Sequence, residues 1–312
     1  MADLRIIFMG TPEFAVPSLQ ILVENNWPVV AVVTAPDRKK GRGQMLATSP
    51  VKDYAVANNI PVLQPTKLKD PAFLDELRSF EANLQVVVAF RMLPKDVWQM
   101  PALGTLNLHA SLLPNYRGAA PINWAIIKGE KETGVTTFFL QHEIDTGEII
   151  LQEKEPIDKD DTVGSLYERL MLIGSKLVLK TIDQIAAGKV KTTPQEISDN
   201  LQSAPKIFKD TCKINWQSNY CQVNNFVRGL NPYPTAWTII EGKTCKIYNI
   251  QRSDLNMSGD MGSFITDHKK KLYARCSDVW ISIEELQMEG KKKMKIEDFL
   301  RGNPLLNLPD TQ

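Results

Sequence analysis

Between Leu106 and Arg117 the chain reads Leu-Asn-Leu-His-Ala-Ser-Leu-Leu-Pro-Asn-Tyr-Arg and runs on into Gly-Ala-Ala-Pro. Asn107 and His109 alternate with Leu106, Leu108 and Ala110, which is the period-2 pattern of a strand. Residues two apart on a strand share a face, so a carboxamide and an imidazole stand side by side. Pro114 then ends the strand, because it offers no N–H to a ladder and restricts the residue before it. A third polar group, Asp145, lies in the turn Gln141–Glu148 after the next apolar run. An imidazole exchanges protons near neutrality, and a neighbouring carboxylate holds its tautomer and favours its charged form. A carboxamide donates to an oxygen that becomes negative in a tetrahedral intermediate. Together these groups suit acyl transfer between nitrogen atoms, with the incoming amine itself as the nucleophile, or a hydrolytic site. No serine stands in a G-x-S-x-G elbow and no cysteine is close, so a covalent intermediate is disfavoured. Plainer readings stay open: an edge strand with its polar face in water, a structural histidine bonded to backbone, and a turn aspartate in Asp-Thr-Gly. His142 competes for the role of His109, beside Glu143 in an exposed-looking loop.

The elements that must position these groups follow an α/β grammar. Apolar runs at Leu4–Met9, Val29–Val33, Ile60–Leu63 and Leu84–Phe90 alternate with helical patterns beginning near Phe14, Val51 and Phe73. Such alternation predicts a parallel doubly wound sheet. A short helix at Ile122–Lys128, strands at Val135–Phe139 and Ile149–Glu153, and a long amphipathic helix over Val163–Ala187 follow. Gly10-Thr11-Pro12 lacks the G-x-G-x-x-G of a dinucleotide site, and Lys39–Gly43 lacks Walker spacing; the latter reads as a flexible basic loop. Periodicity fades over Thr192–Asp210. Beyond it, a short helix at Val223–Gly229 precedes β-like runs at Ala236–Ile240, Thr244–Ile250, Gly262–Ile265, Lys271–Cys276 and Val279–Ile283, which suggest a small barrel or sandwich. The expected layout is therefore an α/β domain over 1–190, a linker over 191–210 and a β domain over 211–312.

The bulk numbers bound the function class. The chain has 312 residues, 43% hydrophobic and 23% charged, which suits two soluble globular domains. No signal peptide and no stretch of membrane-span length is apparent, and four cysteines without a CxxC pair argue against a metal site or a disulfide framework. A cytoplasmic protein is the expectation. Net charge is +1, but residues 1–202 hold 21 Lys+Arg against 24 Asp+Glu, whereas residues 203–312 hold 16 against 12. The mildly basic C-terminal third is a weak pointer to a polyanionic partner.

The run from Asn107 to Ile122, with Asp145-Thr-Gly147, resembles the folate-dependent formyltransferases, whose catalytic trio Asn107, His109 and Asp145 would match. Within that family the likeness is to the branch that acts on methionyl-initiator tRNA. It extends through Phe8–Ala15, Pro36-Asp-Arg-x-x-Gly-Arg-Gly43, Ser49-Pro-Val-Lys52, Asn231-Pro-Tyr-Pro-Thr-Ala236 and Glu289–Gly302. The resemblance implies a Rossmann-like domain that takes 10-formyltetrahydrofolate, followed by an OB-like β-barrel that helps hold the tRNA. Nothing in the sequence demands an oligomer, so a monomer is the expectation, and no metal is expected. It also implies that Ser111, Leu112, Leu113, Pro114, Phe90, Arg91, Met92, Leu93 and Glu143 line the folate site. Arg42 would reach the tRNA acceptor end, and Lys206 would touch phosphate. Two positions depart from the family pattern. Ala89–Pro94 replaces a Tyr-Gly-containing version one residue longer, and Tyr233 stands where Trp is commoner. Rival expectations are a formyltransferase for a small-molecule amine, a formyltetrahydrofolate hydrolase in which the trio activates water, and an RNA-binding module with a vestigial α/β domain.

Overall fold

Runs of apolar residues buried on both faces build the strands of the first sheet. In chain order the strands are β1 (Ile6–Gly10), β2 (Val29–Val33), β3 (Arg38–Lys40), β4 (Met45–Ala47), β5 (Val62–Leu63), β6 (Leu84–Val88), β7 (Thr105–His109), β8 (Arg117–Gly118), β9 (Glu132–Phe139) and β10 (Ile149–Pro156). The computed structural model describes residues 3–40, 45–196, 198, 200–303, 305 and 307–311. Seven of these strands form one sheet in the order β10-β9-β7-β6-β1-β2-β5. Pairing is parallel from β5 through β7 and antiparallel where β9 joins β7 and β10 joins β9. Every residue of β1 and β6 is buried, as a sheet covered on both faces requires.

The chain moves outward from β1 to β2 and β5, then returns to β6 and β7 on the other side of β1. That reversal is the point where open α/β sheets form a crevice beyond the carboxyl ends of their strands. Gly10 ends β1 there; a Cβ on it would stand 2.7 Å from Cβ of Ala15 and 3.0 Å from the Val88 carbonyl. The helices α1 (Val16–Glu24), α2 (Pro50–Ala57) and α3 (Pro71–Ser79) connect the parallel strands. Ser49 and Asp70 cap the latter two by accepting from Lys52 N and Ala72 N, each followed by a proline at the first helical position. Asp37, Lys52 and Gln64 tie the loop after β2 to α2: Lys52 Nζ donates to Asp37, and Gln64 Nε2 donates to Asp37 Oδ1 at 2.8 Å. Lys52 first, then Gln64, hold the Asp37 carboxyl below its ordinary range. Of the basic loop expected over Lys39–Gly43, Lys39 and Lys40 belong to β3, which pairs antiparallel with β4, and Arg42 lies outside the described residues.

The remaining helices are α4 (Lys95–Trp98), α5 (Pro121–Lys128), α6 (Val163–Ala186), α7 (Tyr220–Gly229) and α8 (Ile296–Gly302). The chain divides into two units: Met1–Gly118, Glu132–Pro156 and Tyr167–Ser203 form one, and Ala119–Lys131, Ile157–Leu166 and Ala204–Gln312 the other. Two stretches within the first 190 residues thus group with the C-terminal unit. The physical reason is visible at α5, where Ile127 packs against a core built by Val223 and Val227 of α7. Gly229 allows this close approach, since a Cβ on it would lie 2.7 Å from Cγ1 of Ile127.

The remaining strands are β11 (Ser203–Ala204) and, in the second unit, β12 (Ala236–Ile240), β13 (Lys243–Arg252), β14 (Phe264–Thr266), β15 (Leu272–Arg275), β16 (Trp280–Met288) and β17 (Met294–Lys295). The strands β12 to β17 pair antiparallel in the order β12-β13-β16-β15-β14, with β17 on β16, to make a half-barrel sheet. One face carries the core residues Cys245, Ile247, Ile281, Ile283 and Leu286. Burial pushes the Cys245 thiol up to about 12. Among the described residues no helix is long and apolar enough to cross a membrane, and no three His, Cys, Asp or Glu side chains cluster to hold a metal.

Candidate active site

β7 sets the first two groups. Asn107 lies in register between Val87 of β6 and Phe138 of β9, and His109 lies opposite Thr136. The Asn107 carboxamide is half-buried and has no hydrogen-bond partner among the described residues, so both its donors are available. His109 is 6% exposed, and its Nε2 lies 2.9 Å from the Tyr116 carbonyl oxygen. A carbonyl only accepts, so Nε2 carries a proton in this arrangement. The other ring nitrogen, Nδ1, faces Asp145 Oδ2 at 3.8 Å.

Asp145 reaches this place by an unusual backbone. Its φ is +55°, in the left-handed region that aspartate tolerates better than most residues. The Gly118 N–H donates to its Oδ2 at 3.0 Å. Gly147 lets the turn close against β9, since a Cβ there would sit 1.6 Å from the Phe139 carbonyl oxygen. No other residue fits that position without moving the turn, which gives the Asp-Thr-Gly sequence its physical meaning. His142, the alternative imidazole, is exposed on the same turn.

The segment after β7 is fastened from below. Thr136 Oγ1 donates to the Ser111 carbonyl at 2.7 Å and accepts from Leu113 N at 3.1 Å, while Gln152 Nε2 donates to the Leu113 carbonyl at 2.9 Å. Ser111 and Leu113 are consequently buried, and Leu112 and Pro114 are half-buried. In the loop after β6, Ala89 has φ of +48°, where glycine is favoured. Phe90 packs on the first unit's core beneath the Arg91 guanidinium, 5.7 Å from its ring centre. Arg91 also donates to the carbonyls of Pro65 and Thr66. Partial burial of its guanidinium lowers its pKa, with the charge of Arg38 adding to the effect. Leu93 is buried, whereas Met92 is 72% exposed and Ile144, beside exposed Glu143, is 57% exposed. The first unit therefore presents apolar side chains in the very loops assigned to a ligand wall.

Sequence reasoning missed Gln195 and the part played by the Arg117 side chain. Gln195 Nε2 donates to the Asp145 carbonyl at 2.8 Å and to the Gly147 carbonyl at 2.7 Å, and its Oε1 accepts from Arg117. No spacing rule signals contacts across 50 and 78 residues. Lys206 belongs to the second unit, where it borders a cleft of about 540 Å³ with Lys209, Lys246, Tyr233 and Trp237. Tyr233 is 81% exposed, and Lys213 Nζ sits 5.7 Å from the Trp237 ring centre.

A family described as formyl transferase matches residues 4–182, and one described as formyl transferase, C-terminal domain, matches residues 206–304. The chain belongs to the formyl transferase family. Similar curated proteins named methionyl-tRNA formyltransferase come from Bacteroides fragilis, 51% identical over 96% of this chain and 95% of that one, and Parabacteroides distasonis, 53% identical over 96% of both. A third, from Flavobacterium johnsoniae, is 50% identical over 97% of both. Among solved structures, the fold is shared with HypX from Aquifex aeolicus in complex with tetrahydrofolic acid (TM-score 0.66, 19% identity, 99% of this chain). This chain spans about half of HypX, 49% of its length. It is also shared with an N-formyltransferase from Helicobacter canadensis in complex with folinic acid and dTDP-3-aminofucose (TM-score 0.66, 21% identity, 91% of this chain and 99% of that one).

Proposed function

We propose that this protein transfers the formyl group of 10-formyltetrahydrofolate to the α-amine of methionyl-initiator tRNA. The observation that carries the reading is identity of about half the residues to methionyl-tRNA formyltransferases along nearly the whole of both chains, second unit included. The site geometry supports the chemistry. The amine attacks the formyl carbon, and the carbonyl electron pair moves onto oxygen to give a tetrahedral intermediate. Asn107, with no described partner of its own, donates to that oxygen. The ammonium proton passes to His109 Nδ1, and the resulting imidazolium is stabilised by Asp145. The same proton then goes to N10 of the folate as the C–N bond breaks and the oxygen's electron pair restores the carbonyl. Backbone around Ser111–Pro114, the loop Phe90–Leu93 and the turn at Glu143 border the donor, with the exposed Met92 and Ile144 offering apolar contact.

The second unit supports a polyanionic acceptor. Lys206, Lys209 and Lys246 beside Tyr233 and Trp237 combine charge for phosphate with aromatic faces for bases, and Arg42 is assigned to the acceptor end. The protein acts as a cytoplasmic monomer in this reading. A transfer assay offering charged initiator tRNA and small amines side by side tests it: formylation of methionyl-tRNA is expected, with affinity falling as salt rises. Transfer to a small amine alone, or release of formate alone, overturns it.

A further inference from the structure

The segment after α6, expected to be part of a linker, is bound to the first unit at three successive points. Thr193 and Ile149 exchange both backbone hydrogen bonds at 2.9 Å, which zips the segment onto the start of β10. Thr192 Oγ1 donates to the Glu148 carboxylate. Gln195 then reaches over the Asp145 turn and bonds two of its carbonyl oxygens, at 2.8 and 2.7 Å, through one amide nitrogen. Its oxygen is gripped by both Nε and Nη2 of Arg117, at 3.0 and 2.6 Å. A carbonyl only accepts and a guanidinium only donates, so the residue between them must do both. An amide satisfies that demand, and a carboxylate of the same shape does not. The clamp closes on itself: Arg117 precedes Gly118, whose N–H holds the Asp145 carboxylate that faces His109.

We propose that Gln195 is a positioning residue of the formyl-transfer site, clamped by Arg117 so that the Asp145 turn keeps its carboxylate on Nδ1 of His109. The inference rests on the function proposed above. Asp145 occupies a left-handed backbone conformation whose free-energy cost its surroundings must offset. A displacement of about 1 Å at such a group costs roughly 100-fold in rate.

Three variants and two readouts test the clamp. Gln195→Ala is expected to lower single-turnover transfer roughly 10- to 100-fold, with KM for donor and tRNA changed less than about 2-fold. Gln195→Glu, which still accepts from Arg117 but cannot donate to the carbonyls, is expected to be as slow as the alanine variant. In an Asp145→Ala background the Gln195→Ala change should cost less than about 2-fold, since the group it positions is gone. Hydrogen exchange of the amides over 141–148, measured without substrates, should accelerate in Gln195→Ala while the amides of β1 and β6 stay protected. A wild-type rate in Gln195→Glu, an equal loss in the Asp145→Ala background, or unchanged exchange in the turn would each overturn the proposal. The exchange readout needs no reaction. A loosened turn in a protein that fails to formylate methionyl-tRNA would therefore count against the proposed function and leave the clamp standing.

Discussion

Asn107→Ala separates stability from chemistry because of where the side chain sits. Its carboxamide gives up no hydrogen bond to a described residue, and it is half-exposed on β7 rather than buried in the core. Truncation of a group so placed costs about 0.5 kcal/mol or less in folding. In the reaction the same carboxamide is assigned to the developing oxyanion, a role whose loss costs about 3–4 kcal/mol. At 1.36 kcal/mol per tenfold, that is a fall in rate of roughly 10²–10³. The interaction forms only as charge develops, so kcat should drop while KM for both substrates holds. Asn107→Asp keeps the shape but turns a donor into an anion facing an anion, and should be slower still. The measurements are rapid-quench single-turnover transfer with saturating 10-formyltetrahydrofolate and methionyl-tRNA, beside thermal unfolding of each variant. An alanine variant within about fivefold of wild type, or one whose loss of rate tracks a large fall in melting temperature, would refute the oxyanion role.

Gly147→Ala should lower stability by about 1–3 kcal/mol and slow transfer, because its Cβ would stand 1.6 Å from the Phe139 carbonyl and the turn bearing Asp145 must shift; wild-type melting with a wild-type rate would contradict the packing. Asp37→Asn should lower the melting temperature near neutrality. The ionised carboxylate, favoured by Lys52 and Gln64, stabilises the fold above its unfolded pKa near 3.8, and that stability is lost as pH falls through the lower folded value. The gap between variant and wild type should therefore close below about pH 4. A gap that stays constant from pH 6 to pH 3 would show that the ion pair is not its source.

What could be seen in the sequence was local. Alternation at Leu106–Ala110 was enough to place Asn107 and His109 on one face of β7, and the apolar runs were enough to predict a largely parallel sheet with a separate β unit. The partners of each face were not legible. The apolar stripe of α5 says that the helix must bury Ile122, Ala125 and Ile126, yet nothing in its period says that Ile127 will pack on the core around α7, about a hundred residues on. Gln195 is hidden for the same reason: a glutamine in a stretch without periodicity carries no signal until Arg117 and the Asp145 turn are folded around it.

His109 shows how the two readings left open by the sequence meet. A structural histidine bonded to backbone and an imidazole exchanging protons stood there as alternatives. In the proposed mechanism each ring nitrogen takes one of the parts. Nε2 is spent on the Tyr116 carbonyl, which fixes the ring plane and assigns that nitrogen a proton. Nδ1 is thereby left facing the carboxylate of Asp145, where the proposed proton transfer needs it. The backbone bond is thus the condition for the proposed chemistry, since an imidazole free to turn would present either nitrogen to Asp145. Tyr116 itself has φ of +60°, so the carbonyl that orients the ring is supplied by a backbone conformation residues other than glycine seldom adopt. The turn Ser111–Tyr116 is therefore shaped as much to aim one carbonyl at His109 as to border a ligand.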